Sequence, residues 1–216
     1  MIRIEGLDVS IGAVSILRNV NMQLPSGRFT GLVGRNGAGK TTLMRAIMGI
    51  LAPRNGSIHL ENATLDGMAT HTRARMGVGY MPEDRRLVPH LAVEENVLMP
   101  AWAAGVPDPS ARLAKVYEMI PEVEAFSTRK AVQLSGGQQK LVALARALMC
   151  GSKVLLLDEP FEGVAPVLAR RLAEVIDGLK QEGLSILLTE SDLSHSREML
   201  DTVYVIDRGE VSVGTL

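Results

Sequence analysis

Gly34-Arg35-Asn36-Gly37-Ala38-Gly39-Lys40-Thr41-Thr42 constrains this chain more than any other stretch. It meets in full the pattern of glycine, four residues, glycine, lysine, then serine or threonine. Its glycines allow the backbone to curl until successive N–H groups face one point, where they can cradle phosphate oxygens. Before it, Phe29 to Val33 reads as a short apolar strand, and after it Thr42 to Met48 reads as a helix with Leu43, Ile47 and Met48 on one side. A strand, this loop and then a helix N-terminus form an anion site, so a nucleotide is expected here. Lys40 would reach the β- and γ-phosphates, and the Thr41 hydroxyl would ligate Mg²⁺.

The rest of the chain must supply a sheet to carry that loop. Its 216 residues suit one large α/β domain, or one with a small insertion, and 46% hydrophobic residues suffice for a core. The net charge of −1 gives no footprint for wrapping nucleic acid. No apolar run approaches the roughly 18 residues needed to span a bilayer, and the start lacks a signal-peptide core, so a cytosolic chain is expected. Cys150 is the only cysteine, which excludes an intrachain disulfide and suggests a free thiol packed near a helix end.

In chain order, Ile2 to Leu7 and Val20 to Leu24 alternate as half-buried strands, and Pro25-Ser26-Gly27 turns into the phosphate-loop strand. Ser57 to Leu60 follows another turn, with His59 expected on its solvent face. Gly77 to Met81 reads as a buried strand broken by Pro82-Glu83-Asp84-Arg85-Arg86. Val93 to Met99 and Ala111 to Ile120 read as helices, the second stopped by Pro121. These define an expected helical subdomain at residues 84–134, inserted in a core of residues 1–83 and 135–216. Leu168, Leu172, Val175, Ile176 and Leu179 form a helical stripe. Ile186 to Leu188 and Thr202 to Ile206 read as the last strands, the latter turning at Asp207 to Glu210.

Two further segments carry chemistry. Val154 to Leu157 is a continuous apolar run, as for a strand covered on both faces, and it delivers Asp158-Glu159 to its carboxyl end. Ligands of open α/β sheets bind at that edge, so two adjacent carboxylates there fit metal and water positioning better than a structural ion pair. Leu134-Ser135-Gly136-Gly137-Gln138 opens a helix with a capping box from Ser135 to Gln138. The cap leaves the paired glycines unexplained, because they cost helix stability and are more useful where a backbone must approach a ligand.

Phosphate loop, then Leu134-Ser135-Gly136-Gly137-Gln138, then Leu155-Leu156-Leu157-Asp158-Glu159-Pro160, in that order, resembles the ATP-binding-cassette ATPases over essentially the whole chain. The resemblance implies a P-loop NTPase α/β fold with an inserted helical signature subdomain and an N-terminal antiparallel β subdomain. It implies ATP and Mg²⁺ as ligands and a head-to-tail dimer, ATP lying between one chain's phosphate loop and the Ser135 to Gln138 segment of another. It further implies that Thr41, Asp158 and Glu83 serve Mg²⁺, and that Glu159 polarises the attacking water.

Four positions depart from the commonest cassette pattern. Ile11 stands where an aromatic usually stacks on adenine, and Glu83 where a glutamine lines the γ-phosphate. Ala165 replaces an aspartate that crosses the dimer, and Ser191 a histidine that contacts the γ-phosphate. With Pro82 to Arg86, Val93-Glu94-Glu95-Asn96, Gly163 to Pro166 and Thr189-Glu190-Ser191, they resemble the ATPases of branched-chain (hydrophobic) amino-acid importers. That likeness implies a second, different ATPase, membrane permease subunits, a periplasmic or extracellular binding protein, and a peripheral place on the inner face of the membrane. Similar importers continue into another helix, so an end at Gly214-Thr215-Leu216 suggests truncation.

Ser191 is too short to replace that histidine directly. If the histidine's interaction is worth about 1.4 kcal/mol in the transition state, hydrolysis here would be about tenfold slower, and full turnover would depend on a partner. Otherwise Ser191 is an N-cap before Leu193. Leu87, Val88, Leu91, Val97, Met99 and Trp102 are either core or a groove for a short helix of the membrane subunit. Competing readings are a lipopolysaccharide-type exporter ATPase and a soluble cassette acting on nucleic acid or a scaffold. The near-neutral charge, the single cassette and the absence of a long heptad insertion oppose the soluble reading.

Overall fold

The computed structural model describes residues 1–215, so the expectation of truncation at Leu216 lies partly outside the described residues. The first two strands, β1 (Ile2–Ile11) and β2 (Val14–Leu24), are longer than their alternation suggested and pair antiparallel. Together with β4 (Asn55–Leu60) and the two-residue β5 (Ala63–Thr64) they form an antiparallel sheet in the order β2-β1-β4-β5. His59 on β4 is half-buried, with Nε2 3.0 Å from Ser57 Oγ and 3.8 Å from Glu5, so it is held in the sheet instead of standing in solvent.

The second sheet contains β3 (Phe29–Val33), β6 (Val78–Met81), β7 (Val154–Asp158), β8 (Ser185–Glu190), β9 (Thr202–Asp207) and β10 (Glu210–Val213). Its order is β10-β9-β3-β8-β7-β6. Five strands run parallel, and β10, unannounced by any strong apolar alternation, pairs antiparallel with β9 at the edge. The apolar runs of β7 and β8 divide between two cores as strand periodicity requires. Leu155, Leu157, Ile186 and Leu188 face a helical core, whereas Val154, Leu156 and Leu187 face the core shared with the antiparallel sheet.

That second core also takes α1 (Lys40–Ile47), which buries Leu43, Met44 and Ile47. A short helix missed in the sequence, α2 (Thr70–Arg75), secures its far end through Arg73. Arg73 is 2% exposed and donates to the carbonyls of Ala46, Ile47, Leu65 and Met68. A cation at a helix C-terminus meets the negative end of the dipole and satisfies carbonyls left without helical partners. Arg73→Met is therefore expected to cost about 3 kcal/mol, since several buried charge-assisted acceptors lose their donor together. Urea denaturation with an unchanged m-value would measure it.

The helical core holds α3 (Val93–Ala104), α4 (Pro109–Met119), α5 (Pro121–Ala125), α6 (Gly136–Leu148) and α7 (Pro166–Gly178). Residues 84–134 contribute α3, α4, α5 and a 3₁₀ turn at Ala131–Gln133. Helix α3 outruns its expected end at Met99, passes through Pro100 and stops at Gly105, whose φ of 65° gives a left-handed cap. Pro121 ends nothing by itself; α4 closes at Met119 and Pro121 opens α5, where its missing N–H costs no bond. Among the described residues, no helix is long and apolar enough to cross a membrane.

Candidate active site

Parallel register brings four strand ends to one edge. Val33 pairs with Glu190, Asp158 with Thr189, and Met81 with Leu157. The segments that follow, carrying Gly34, Ser191, Glu159 and Glu83, meet there. This is the crevice in which parallel α/β sheets bind ligands.

Gly39 enters α1 with φ 118°, and a Cβ there would lie 2.8 Å from Leu17 Cδ2. Only glycine makes this turn without strain. Lys40 is buried, and its ammonium donates to the carbonyls of Gly34 and Arg35 while pairing with Glu159 Oε1 at 2.9 Å. Asn36, Gly37, Gly39, Lys40, Thr41, Thr42, Glu83 and Glu159 all line one cavity of about 450 Å³. Gly34, Arg35 and Ala38 face a neighbouring cavity on the β9 side of the loop, with Asp207 and Arg208. Ile11 stands at the hairpin tip opposite Val14, 49% exposed and outside the phosphate-loop cavity; Ile16 of β2 lines that cavity instead.

Asp158 is fully buried. Its Oδ1 accepts from Thr189 Oγ1 at 2.8 Å and Thr41 Oγ1 at 3.3 Å, and its Oδ2 from Tyr80 at 3.2 Å. Burial pushes its carboxyl above the ordinary value, against those three bonds. Burial, aided by Asp158, likewise raises the Tyr80 phenol. The hard oxygens of Thr41 and Asp158, with Glu83 on the same cavity wall, fit Mg²⁺, an ion that takes one or two carboxylates and completes its shell with phosphate and water. Tyr80 did not stand out in the sequence, because it lies in a run that reads as ordinary buried strand, and Thr189 was marked only as a neighbour of Ser191, not as a partner of Asp158.

Ser191 begins no helix, so the N-cap reading fails; the chain bends there, turns at residues 194–196 and forms a 3₁₀ helix only at Arg197–Met199. Its hydroxyl lies 3.0 Å from Asn36 Oδ1 and 3.1 Å from Glu159 Oε1, and Lys40 Nζ lies 3.5 Å away. Ser191 thus closes a ring with the phosphate-loop lysine and the acidic residue after β7.

Glu190, one residue earlier, is buried, takes a hydrogen bond from Ser196, and is pushed up to about 7 by desolvation. A folded-state value above the unfolded one means that the native state holds its proton more tightly. Stability from this group is full below about pH 4.5 and is lost as pH rises through about 7. Glu190→Gln should therefore gain stability relative to the parent between pH 5 and pH 8, measured by denaturant midpoints at each pH.

Ser135 and Gly136 are exposed and lie outside the phosphate-loop cavity of their own chain. The capping box is formed: Gln138 N donates to Ser135 Oγ at 3.3 Å, and Ser135 N to Gln138 Oε1 at 3.0 Å. Leu134 is buried beneath it. Gly137 also has a packing reason to lack a side chain, since its Cβ would collide with Leu168 Cδ2 on α7.

The groove expected from six apolar residues takes a different form. Val97 is core, Leu87 packs on the core, and Val88 and Trp102 are 38% and 55% exposed. An apolar cavity of about 490 Å³ is lined by Met48, Ile50, Tyr80, Met99, Pro100 and Ala103, among others, but not by Val88 or Leu91. Its walls come from α1, β6 and α3, which are distant in sequence.

A phosphate loop feeding a helix from the middle of a parallel sheet, with acidic residues at the next strand ends, defines a P-loop NTPase. The ABC transporter family model matches residues 17–162, and the chain belongs to that family of ATP-hydrolysing cassettes. It is 33% identical over 211 residues to the high-affinity branched-chain amino acid transport ATP-binding protein BraG of Pseudomonas aeruginosa, covering 98% of this chain and 91% of that protein. It is 32% identical over 199 residues to the lipopolysaccharide export system ATP-binding protein LptB of Acidithiobacillus ferridurans, covering 91% and 82%. Among solved structures, the dimeric bacterial ABC transporter cassette MJ0796 superposes with a TM-score of 0.87 at 26% identity, covering 98% of this chain and 97% of that one.

Proposed function

We propose that this chain is the ATP-hydrolysing subunit of an importer for branched-chain or related amino acids. The observation that carries the reading is near full-length likeness to BraG together with Glu83 and Ser191 at the nucleotide edge. In this reading Lys40 and the loop N–H groups bind the phosphates. Thr41, Asp158 and Glu83 hold Mg²⁺, which when bound neutralises phosphate charge. Glu159 polarises the attacking water and Ser191 fixes its carboxylate. Ser135, Gly136, Gly137 and Gln138 close on the nucleotide of a second cassette while Leu134, expected among them, anchors the turn in its own core, and Ile16 contributes apolar cover in place of Ile11. The likeness of the fold to a dimeric cassette and the exposure of the signature turn support that arrangement.

Residues 84–134 act as a helical subdomain against the core of residues 1–83 and 135–216. The Met99 cavity takes a short helix from a membrane permease subunit, placing the chain peripherally on the cytoplasmic face of the membrane, with a binding protein supplying substrate on the other side. Met99→Glu should then reduce co-purification with the permease at least about tenfold, by burying a charge in the contact, while ATP binding by the isolated chain is retained. Pull-down quantification and a nucleotide-binding assay read the two effects.

The deciding experiment is to purify the chain with its membrane partners, reconstitute them in vesicles and follow ATP-dependent leucine uptake. Uptake with a second cassette present is the expected result. Extraction of lipopolysaccharide without uptake would establish the exporter reading favoured by the LptB likeness.

A further inference from the structure

Lys140 lies on α6, two residues beyond the Ser135–Gln138 cap, and is 4% exposed. Its ammonium donates to the main-chain carbonyl of Glu159 at 2.6 Å and forms no ion pair among the described residues. Lysine is almost never buried unless paired, because its charge loses hydration. Glu162, Glu83 and Glu159 attract the charge from neighbouring loops and Arg85 opposes it, but burial dominates and lowers its affinity for a proton. An apolar residue would fill a core position on α6 at lower cost. The bond must therefore be judged by what it holds.

It holds a strained residue. Glu159 has φ 48°, in the left-handed region that non-glycine residues rarely occupy, and it precedes Pro160, whose ring disfavours helical conformations in the residue before it. Such a conformation persists only when its surroundings over-determine it. The Glu159 N–H is secured by the Thr189 carbonyl at 3.2 Å and Thr189 Oγ1 at 3.1 Å, while Lys140 secures the carbonyl. With both peptide planes fixed, the carboxylate is directed to Lys40 Nζ at 2.9 Å and Ser191 Oγ at 3.1 Å.

The geometry points to Lys140 as a positioning residue for hydrolysis: from the signature helix it clamps the Glu159 backbone and so aims the carboxylate that polarises water. This rests on the proposed role of Glu159 itself. It differs from the signature's role toward a partner, because Lys140 acts within its own chain. Arg85 adds a tie on the same turn, from Nη1 to the Gly136 carbonyl and Gln139 Oε1, both at 3.2 Å.

The test uses the assembled ATPase complex. Lys140→Met, which keeps length and removes the donor, should lower kcat about thirtyfold with the KM for ATP within about twofold, because aim is lost but phosphate binding is not. Lys140→Arg, which restores a cationic donor, should recover kcat to within about threefold of the parent. Added to Glu159→Gln, Lys140→Met should cause no further loss, since it acts through that carboxylate. Thermal melting accompanies each variant; if Lys140→Met does not fold, Lys140→Leu, which likewise carries no donor, enters the same cycle. Parental kcat in a folded donor-deleted variant, or multiplicative losses in the double variant, would overturn the positioning role. A fully active Glu159→Gln would instead refute the assignment of Glu159, a separate outcome.

Discussion

Glu159→Gln is expected to lower ATP turnover by about 10²- to 10⁴-fold, the range a positioned general base contributes, and to leave a stable ATP-dependent dimer. The amide keeps the shape and can still bond Ser191, but it loses the charge that pairs with Lys40 at 2.9 Å. Lys40 then has no carboxylate competing with the phosphates, so ATP should bind more tightly than to the parent. Size-exclusion chromatography with light scattering, run with ATP and with and without the second cassette, reads the outcome. Absence of a dimer in both conditions would sink the sandwich arrangement.

Lys40→Met should have an equally large effect of another kind. Lys40 holds its ammonium inside the loop, bonded to the Gly34 and Arg35 carbonyls and to Glu159. Its loss should weaken ATP binding by about 10²- to 10³-fold, comparable with removing one preorganised charge-stabilising donor. It also strands a buried carboxylate, which should cost about 3–5 kcal/mol as for any broken buried pair. The double variant Lys40→Met/Glu159→Gln separates the two consequences. Stability should return because no unpaired charge remains, whereas ATP binding should not, as isothermal titration and denaturant unfolding would report.

Much of this site was legible in the residues because its chemistry is local. Spacing alone identified Gly34 to Thr42, and an apolar run identified the strand that ends in Asp158. The cap at Ser135 followed from two residues three apart. What escaped was whatever depends on partners distant in the chain. Thr189 and Tyr80 bond Asp158 only because β8 and β6 flank β7 in register. Arg73 carries no signal of its own in the sequence, and its role arises only where the end of α1 meets it. Ile11 aligned with an adenine-stacking position, yet the hairpin carries it to the tip and gives Ile16 to the cavity.

The phosphate-loop chain of glycines, Lys40 and Thr41 was determined by sequence, since backbone conformations and donor types at fixed offsets need no tertiary information. So was the α/β class, whereas the expectation of a second cassette came from the resemblance of the signature segment. Tertiary structure alone decided how the acidic edge is wired. Ser191 joins Lys40 and Glu159, and Lys140 grips Glu159 from α6, through side chains 19 to 151 positions apart. Their bonds arise from parallel register and close packing, which no local pattern encodes.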